Sequence, residues 1–202
     1  MTANAPVANI EAARNRLAAK RRGDALNTFQ VLQRSVRYQA KTFDVQEVLA
    51  QLPDGREHAF DLVDHRDSVI LIPLMEDGNI AFVQQYRLGP QTQLLELPAG
   101  VLDPGESPET GGQRELREET GFAAKQLELL GSFYLAPGYS SEKSTAFLAT
   151  GLYSSPLAPD AEEFLELKAF SPGEIYDLAL QGSFQDAKTL AALLLARPRL
   201  LG

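Results

Sequence analysis

Apolar and polar residues intermix in short strand-like runs over residues 30–39, 42–51 and 58–64, with Pro53-Asp54-Gly55 marking a turn between the last two. These runs predict a small antiparallel sheet at the amino-terminal end. Two denser apolar runs follow, SVILIPLM at 68–75 and IAFVQQYR at 80–87. They flank Glu76-Asp77-Gly78-Asn79 and read as a hairpin that opens the main core. Residues 94–97 lead into a polar stretch that predicts a helix, with Ser107 as N-cap, Pro108 as first helical residue, Leu116 pointing into the core and Gly121 as a left-handed stop. Strands are expected near 126–135, 143–150 and 163–170. Two helices close the chain, one from the capping-box arrangement Ser171-Pro172-Gly173-Glu174 and one from Asp186.

Strands on either side of a central helix, with further helices last, predict an α+β chain whose mixed sheet is sandwiched by helices. The chain divides into a leader at 1–28, flexible or helical, a β subdomain at 29–66 and a main domain at 67–202. In the leader, NIEAARNRLAAKRR at 9–22 forms at most a short helix. Glu11 and the short length argue for a loosely held segment rather than a targeting helix.

With 202 residues, 44% of them hydrophobic, the chain is long enough for one substantial core. No apolar run approaches the roughly 20 residues that span a bilayer, and no secretory signal pattern opens the sequence, so a cytoplasmic location is expected. The absence of cysteine excludes disulfides and thiolate ligands or nucleophiles. A net charge of −8 argues against a general nucleic-acid binder. Only His58 and His65 are present, which makes a histidine-based triad improbable; His65 reads as a turn or strand-end residue.

The chemistry concentrates in GVLDPGESPETGGQRELREETGF, from Gly100 to Phe122. At about 100° per residue, Glu115, Glu118 and Glu119 crowd one face of the predicted helix, and Glu106 precedes it. Like charges repel at these spacings, and the last helical turn disfavours anions. A bound cation reverses both effects. Carboxylates without cysteine or histidine nearby suit a hard ion, Mg²⁺ with Mn²⁺ as a second choice. Gly111 and Gly112 inside the helix cost about 1 kcal/mol each relative to alanine, so either the first turns are loose or another backbone approaches closely.

The pattern of Gly100, Glu106 and Arg114-Glu115-Leu116-Arg117-Glu118-Glu119-Thr120-Gly121-Phe122 resembles the Nudix box, with every fixed position filled. The surrounding residues resemble the ADP-ribose pyrophosphatase branch. Gln85-Tyr86-Arg87 and Glu96-Leu97-Pro98-Ala99-Gly100 match its lead-in, Pro137 has its spacing from Gly121, and the segments DAEEF at 160–164 and DAKT at 186–189 are similar too. The likeness extends over roughly residues 30–196 and implies a Nudix-type α/β/α sandwich.

The resemblance implies divalent-metal-dependent hydrolysis of ADP-ribose to AMP and ribose 5-phosphate. The alternative is GDP-mannose or another nucleoside diphosphate sugar, and a non-catalytic nucleotide-sugar sensor ranks below both. By the same resemblance Glu115 and Glu119 are the main metal ligands, joined by the Ala99 carbonyl and by Glu118 as a further ligand or base partner. Arg114 is expected to orient Glu106 or Glu118. Glu163, with Glu162 next, positions or deprotonates the attacking water. Gly100 is expected to border the substrate. Arg87 either binds phosphate or pairs at a strand end, Glu96 supports the metal shell or the ribose, and Glu142 meets the terminal ribose. Residues 186–189 are read as a capped helix start without a catalytic role. For base stacking, Phe29, Tyr38 and Phe43 are candidates, although core packing explains each more simply. A homodimer is implied, with the amino-terminal subdomain serving dimerisation and base binding.

Overall fold

The computed structural model describes residues 28–159 and 164–202. They form two compact units, one built from the residues up to Arg37 with Gln46–Asp61, the other from Tyr38–Val45 and Leu62–Gly202. The residues of the first unit supply most of a sheet ordered β1 (Gln30–Gln39), β2 (Phe43–Gln51), β3 (Glu57–His65). The connections are too short for parallel crossovers, so the strands alternate in direction. The predicted turn forms at residues 53–55, where the Gly55 N–H donates to the Leu52 carbonyl at 2.9 Å.

In the second unit β4 (Ser68–Pro73), β7 (Ala99–Val101), β8 (Phe122–Tyr134) and β9 (Lys143–Ser154) make a mixed sheet of order β7-β4-β9-β8. Its β4–β9 pair is parallel, and the other two pairs are antiparallel. A second sheet of order β10-β5-β6 joins β5 (Ile80–Arg87), β6 (Thr92–Glu96) and β10 (Glu166–Phe170), all antiparallel. The expected hairpin of residues 68–75 and 80–87 is thereby corrected. The turn closes, with the Met75 N–H on the Asn79 carbonyl at 2.8 Å and one bridge between Leu74 and Ile80. Beyond it the strands part into different sheets, because β7 and β9 already occupy both edges of β4.

Alternation along the central strands explains the layers. Ile70 and Ile72 of β4, with Ala146 and Leu148 of β9, face a cluster containing Ile175, Ala192, Leu193 and Ala196 from α2 (Pro172–Leu180) and α3 (Ala187–Leu200). Their neighbours Leu71 and Ala149 face the opposite way, onto Leu116 of α1 (Pro108–Thr120). The mixed sheet therefore lies between α1 on one side and the α2–α3 pair on the other, the α/β/α arrangement expected from the sequence. Tyr176 fastens α2 to α3 by donating to the Leu193 carbonyl at 2.6 Å. Among the described residues no helix is long and apolar enough to cross a membrane.

Candidate active site

Helix α1 presents the acids, and its ends are fixed as the sequence predicts. The Ser107 side chain accepts from the Thr110 N–H at 3.2 Å, Pro108 opens the first turn, and Gly121 ends the helix at φ +78°. Leu116 is fully buried and anchors the helix against Leu71 and Ala149. Glu115 and Glu119 are almost as enclosed, only 7% and 8% exposed. Burying carboxylates this deeply is unfavourable unless each is held by donors or cations.

Arg114 supplies much of that compensation. Its Nε and Nη2 grip the two oxygens of Glu106 at 3.1 and 2.8 Å, while Nη1 reaches Glu115 at 2.6 Å and Glu118 at 3.0 Å. Nη2 also donates to the Val101 carbonyl at 3.1 Å. One guanidinium thus ties three carboxylates and the strand beside them. Hydrogen bonding from Arg114 holds the Glu106 carboxyl below its ordinary pKa, and Glu106 in turn raises that of Arg114. Arg117 points away from the acids and donates to the Ser155 carbonyl at 2.9 Å.

Strand β7 forms the facing wall. The Ala99 N–H donates to Glu119 Oε2 at 3.1 Å. Gly100 lies so close to the Glu115 carboxylate that a Cβ there would overlap it, so this glycine gives the acid its room. The two glycines inside the helix are explained in the same way. A Cβ on Gly111 would strike Leu102 and come within 2.9 Å of Glu106 Oε2, and one on Gly112 would press Leu71 at 3.3 Å. The close approach comes from side chains and not from another backbone.

Around this face opens a hollow of about 440 Å³ bordered by Gly100, Glu115, Glu118 and Glu142. Arg87 lines it as well, in a bidentate pair with the almost fully buried Glu96 at 2.8 and 2.7 Å. The pair raises the pKa of Arg87. Glu142 accepts from the Ser68 hydroxyl at 2.9 Å. Glu162 and Glu163 lie outside the described residues. Of the aromatic candidates, Phe29 stacks on Phe60, Phe43 stacks on His65, and Tyr38 is exposed.

Sequence reasoning did not single out Lys41, Arg66, Ser68 or Lys188, which also line the hollow. Only the segment around Lys188 carried a signal, and its cap reading is what the bonding displays. Asp186 accepts from the Thr189 N–H and hydroxyl at 2.9 and 2.8 Å, and Thr189 Oγ1 accepts from the Leu97 N–H at 2.9 Å. The start of α3 is thereby latched to the chain just past β6.

The side chains of Glu115, Glu118 and Glu119 and the Ala99 carbonyl offer only oxygen donors, which fits a hard divalent ion. The room made by Gly100 is occupied by a carboxylate of that set. Among the described residues no three such side chains already converge on one point. The fit is therefore one of donor chemistry.

The NUDIX domain family matches residues 64–193. The chain is 32% identical to an ADP-ribose pyrophosphatase of Bacillus subtilis (strain 168) over 158 residues, 77% of this chain and 85% of that relative. It is 33% identical to a methanol dehydrogenase activator of Bacillus methanolicus over 145 residues, 71% of this chain and 78% of that one. Among solved structures, one described as an ADP compounds hydrolase superposes with a TM-score of 0.78 at 27% identity, covering 88% of this chain and 97% of the other.

Proposed function

The chain belongs to the Nudix family, and from that premise we propose that it hydrolyses the diphosphate of ADP-ribose, giving AMP and ribose 5-phosphate. The observation that carries this reading is the pair of buried carboxylates, Glu115 and Glu119, set against β7, with Glu115 lining a hollow that also holds cationic side chains. Similarity to an ADP-ribose pyrophosphatase and to an ADP compounds hydrolase favours an adenosine diphosphate ester.

In this reading Glu115, Glu119, Glu118 and the Ala99 carbonyl hold Mg²⁺ or Mn²⁺. A bound divalent ion supplies a water of lowered pKa and offsets the charge that builds on the phosphate oxygens. The protein supplies the alignment. Arg114 fixes Glu115 and Glu118, the Ala99 N–H fixes Glu119, and the bare Cα of Gly100 lets Glu115 reach the hollow. Glu163, with Glu162 as second choice, takes the proton of the attacking water as one P–O bond to the bridging oxygen breaks. Glu142 meets the terminal ribose, and Glu96 acts through Arg87.

The reading extends to a cytoplasmic homodimer. Leu32 and Val36, on one face of β1, remain 42% and 56% exposed, an apolar patch suited to a second copy. The test of the function is a panel of ADP-ribose, GDP-mannose, ADP-glucose and dinucleoside polyphosphates with Mg²⁺ or Mn²⁺. Preference for ADP-ribose is expected. Preference for GDP-mannose would move the assignment to that sugar, and equal, feeble turnover of all would defeat it.

A further inference from the structure

Five cations line the hollow, and their bonding separates them. Arg114 is committed to Glu106, Glu115 and Glu118, and Arg87 to Glu96. Lys188 Nζ stands 3.4 Å from Asp186 Oδ1. Arg66 differs from all three. It donates one hydrogen bond, Nη1 to the Leu102 carbonyl at 3.0 Å, and stays 3.7 Å from Asp103 Oδ1. Its Nε is buried with no partner among the described residues. Lys41, exposed between β1 and β2, forms no ion pair among the described residues.

A guanidinium carries five N–H donors, and leaving a buried one unpaired is unfavourable. Arg66 is therefore under-satisfied where it stands, and an anion in the hollow offers the partner that the protein omits. Nε is shielded from solvent, so binding requires the side chain to rotate, which its sparse tethering permits. Position adds a second argument. Lys41, Thr42 and Arg66 also line an adjoining hollow of about 310 Å³ that contains Phe43, Asp44 and His65. Lys41, and Arg66 with its looser pair to Asp103, stand where one hollow passes into the other.

We propose that Arg66 and Lys41 form an anion clamp that binds the diphosphate of a nucleoside diphosphate ester at this passage, with one end of the ester continuing into the second hollow. The clamp rests on the hydrolase reading for its substrate but not for its geometry. Its residues bind and place the ester and take no part in proton transfer. Arg87 and Arg114, already neutralised by glutamates, contribute less to holding the phosphates.

The test uses K41M, R66K, R66M and the K41M/R66K double variant. The readouts are kcat and KM for ADP-ribose with Mg²⁺, calorimetric Kd for the non-hydrolysable α,β-methylene analogue, and thermal unfolding. Each single change is expected to raise KM and Kd roughly tenfold and the double change about a hundredfold, with kcat within about threefold of wild type. R66K keeps the charge but lacks the Nε donor and the planar fork, so it separates geometry from charge. If R66M fails to fold through loss of the Leu102 tether, K41M and R66K carry the test, because Lys41 is exposed and lysine retains a donor. Unchanged KM and Kd in folded variants would overturn the clamp, as would a fall in kcat at constant KM. A wild type that binds the analogue through these side chains without hydrolysing ADP-ribose would remove the substrate assignment and leave the clamp standing.

Discussion

Replacing Gly100 by alanine tests whether the space against β7 serves the Glu115 carboxylate. The new Cβ would fall inside van der Waals contact with the Glu115 carboxyl carbon and both of its oxygens. Either the end of that side chain retreats by more than about 1 Å, which separates Glu115 from both Glu119 and the Ala99 carbonyl, or β7 shifts away from the helix, which takes the Ala99 carbonyl from both glutamates. A misplacement of about 1 Å in a catalytic group costs on the order of a hundredfold in rate, or about 2.7 kcal/mol of barrier. The retreating group is the flexible end of a side chain, so the stability cost stays near the low end of the usual overpacking range of about 1–3 kcal/mol. The assay is steady-state kcat/KM on ADP-ribose with Mg²⁺, paired with thermal unfolding of the same preparation. The expected result is activity down about a hundredfold with the fold retained. Activity within about threefold of wild type would show that Glu115 does not need the place the glycine makes for it.

E119Q should lower kcat by orders of magnitude while leaving the far-ultraviolet circular dichroism unchanged, since it removes a proposed ligand and also relieves repulsion on α1. T189V should cost about 1–3 kcal/mol, seen as a drop of roughly 3–10 °C in Tm, because it strands the Leu97 N–H in a buried site. Arg114 holds the folded Glu106 below its ordinary 4.5, so the stability this ion pair contributes is complete above that value. It is lost as pH falls through the lower folded one. Thermal melts between about pH 3 and 7 should therefore show a flatter acid limb for E106Q than for wild type, and identical limbs would refute the assignment.

What the sequence revealed about α1 was local information: the Ser107 cap, Pro108, the Gly121 stop and the spacing of Glu115, Leu116 and Glu119 are all set within a few residues. The divergence of β4 and β5 was hidden because the turn at 76–79 is locally correct, while the choice of partner depends on β7 and β9, far along the chain. β8 begins at Phe122, immediately after the stop, earlier than its apolar run near 126 suggested. Gly111 and Gly112 looked like defects until Leu102 and Leu71 were seen against them. Arg66 and Lys41 carried no motif; only the folded chain brings residues 25 apart in sequence to the wall of one hollow.

Arg114 acts as a resident counter-ion. By clasping Glu106, Glu115 and Glu118 within one guanidinium it offsets much of the repulsion on α1 without help from any metal. Folding is therefore expected to proceed without ion loading, unlike small zinc domains whose binding energy is their folding energy. A chelated sample should be silent yet intact, and resupply of Mg²⁺ should restore activity within the time of binding, with no refolding step in between.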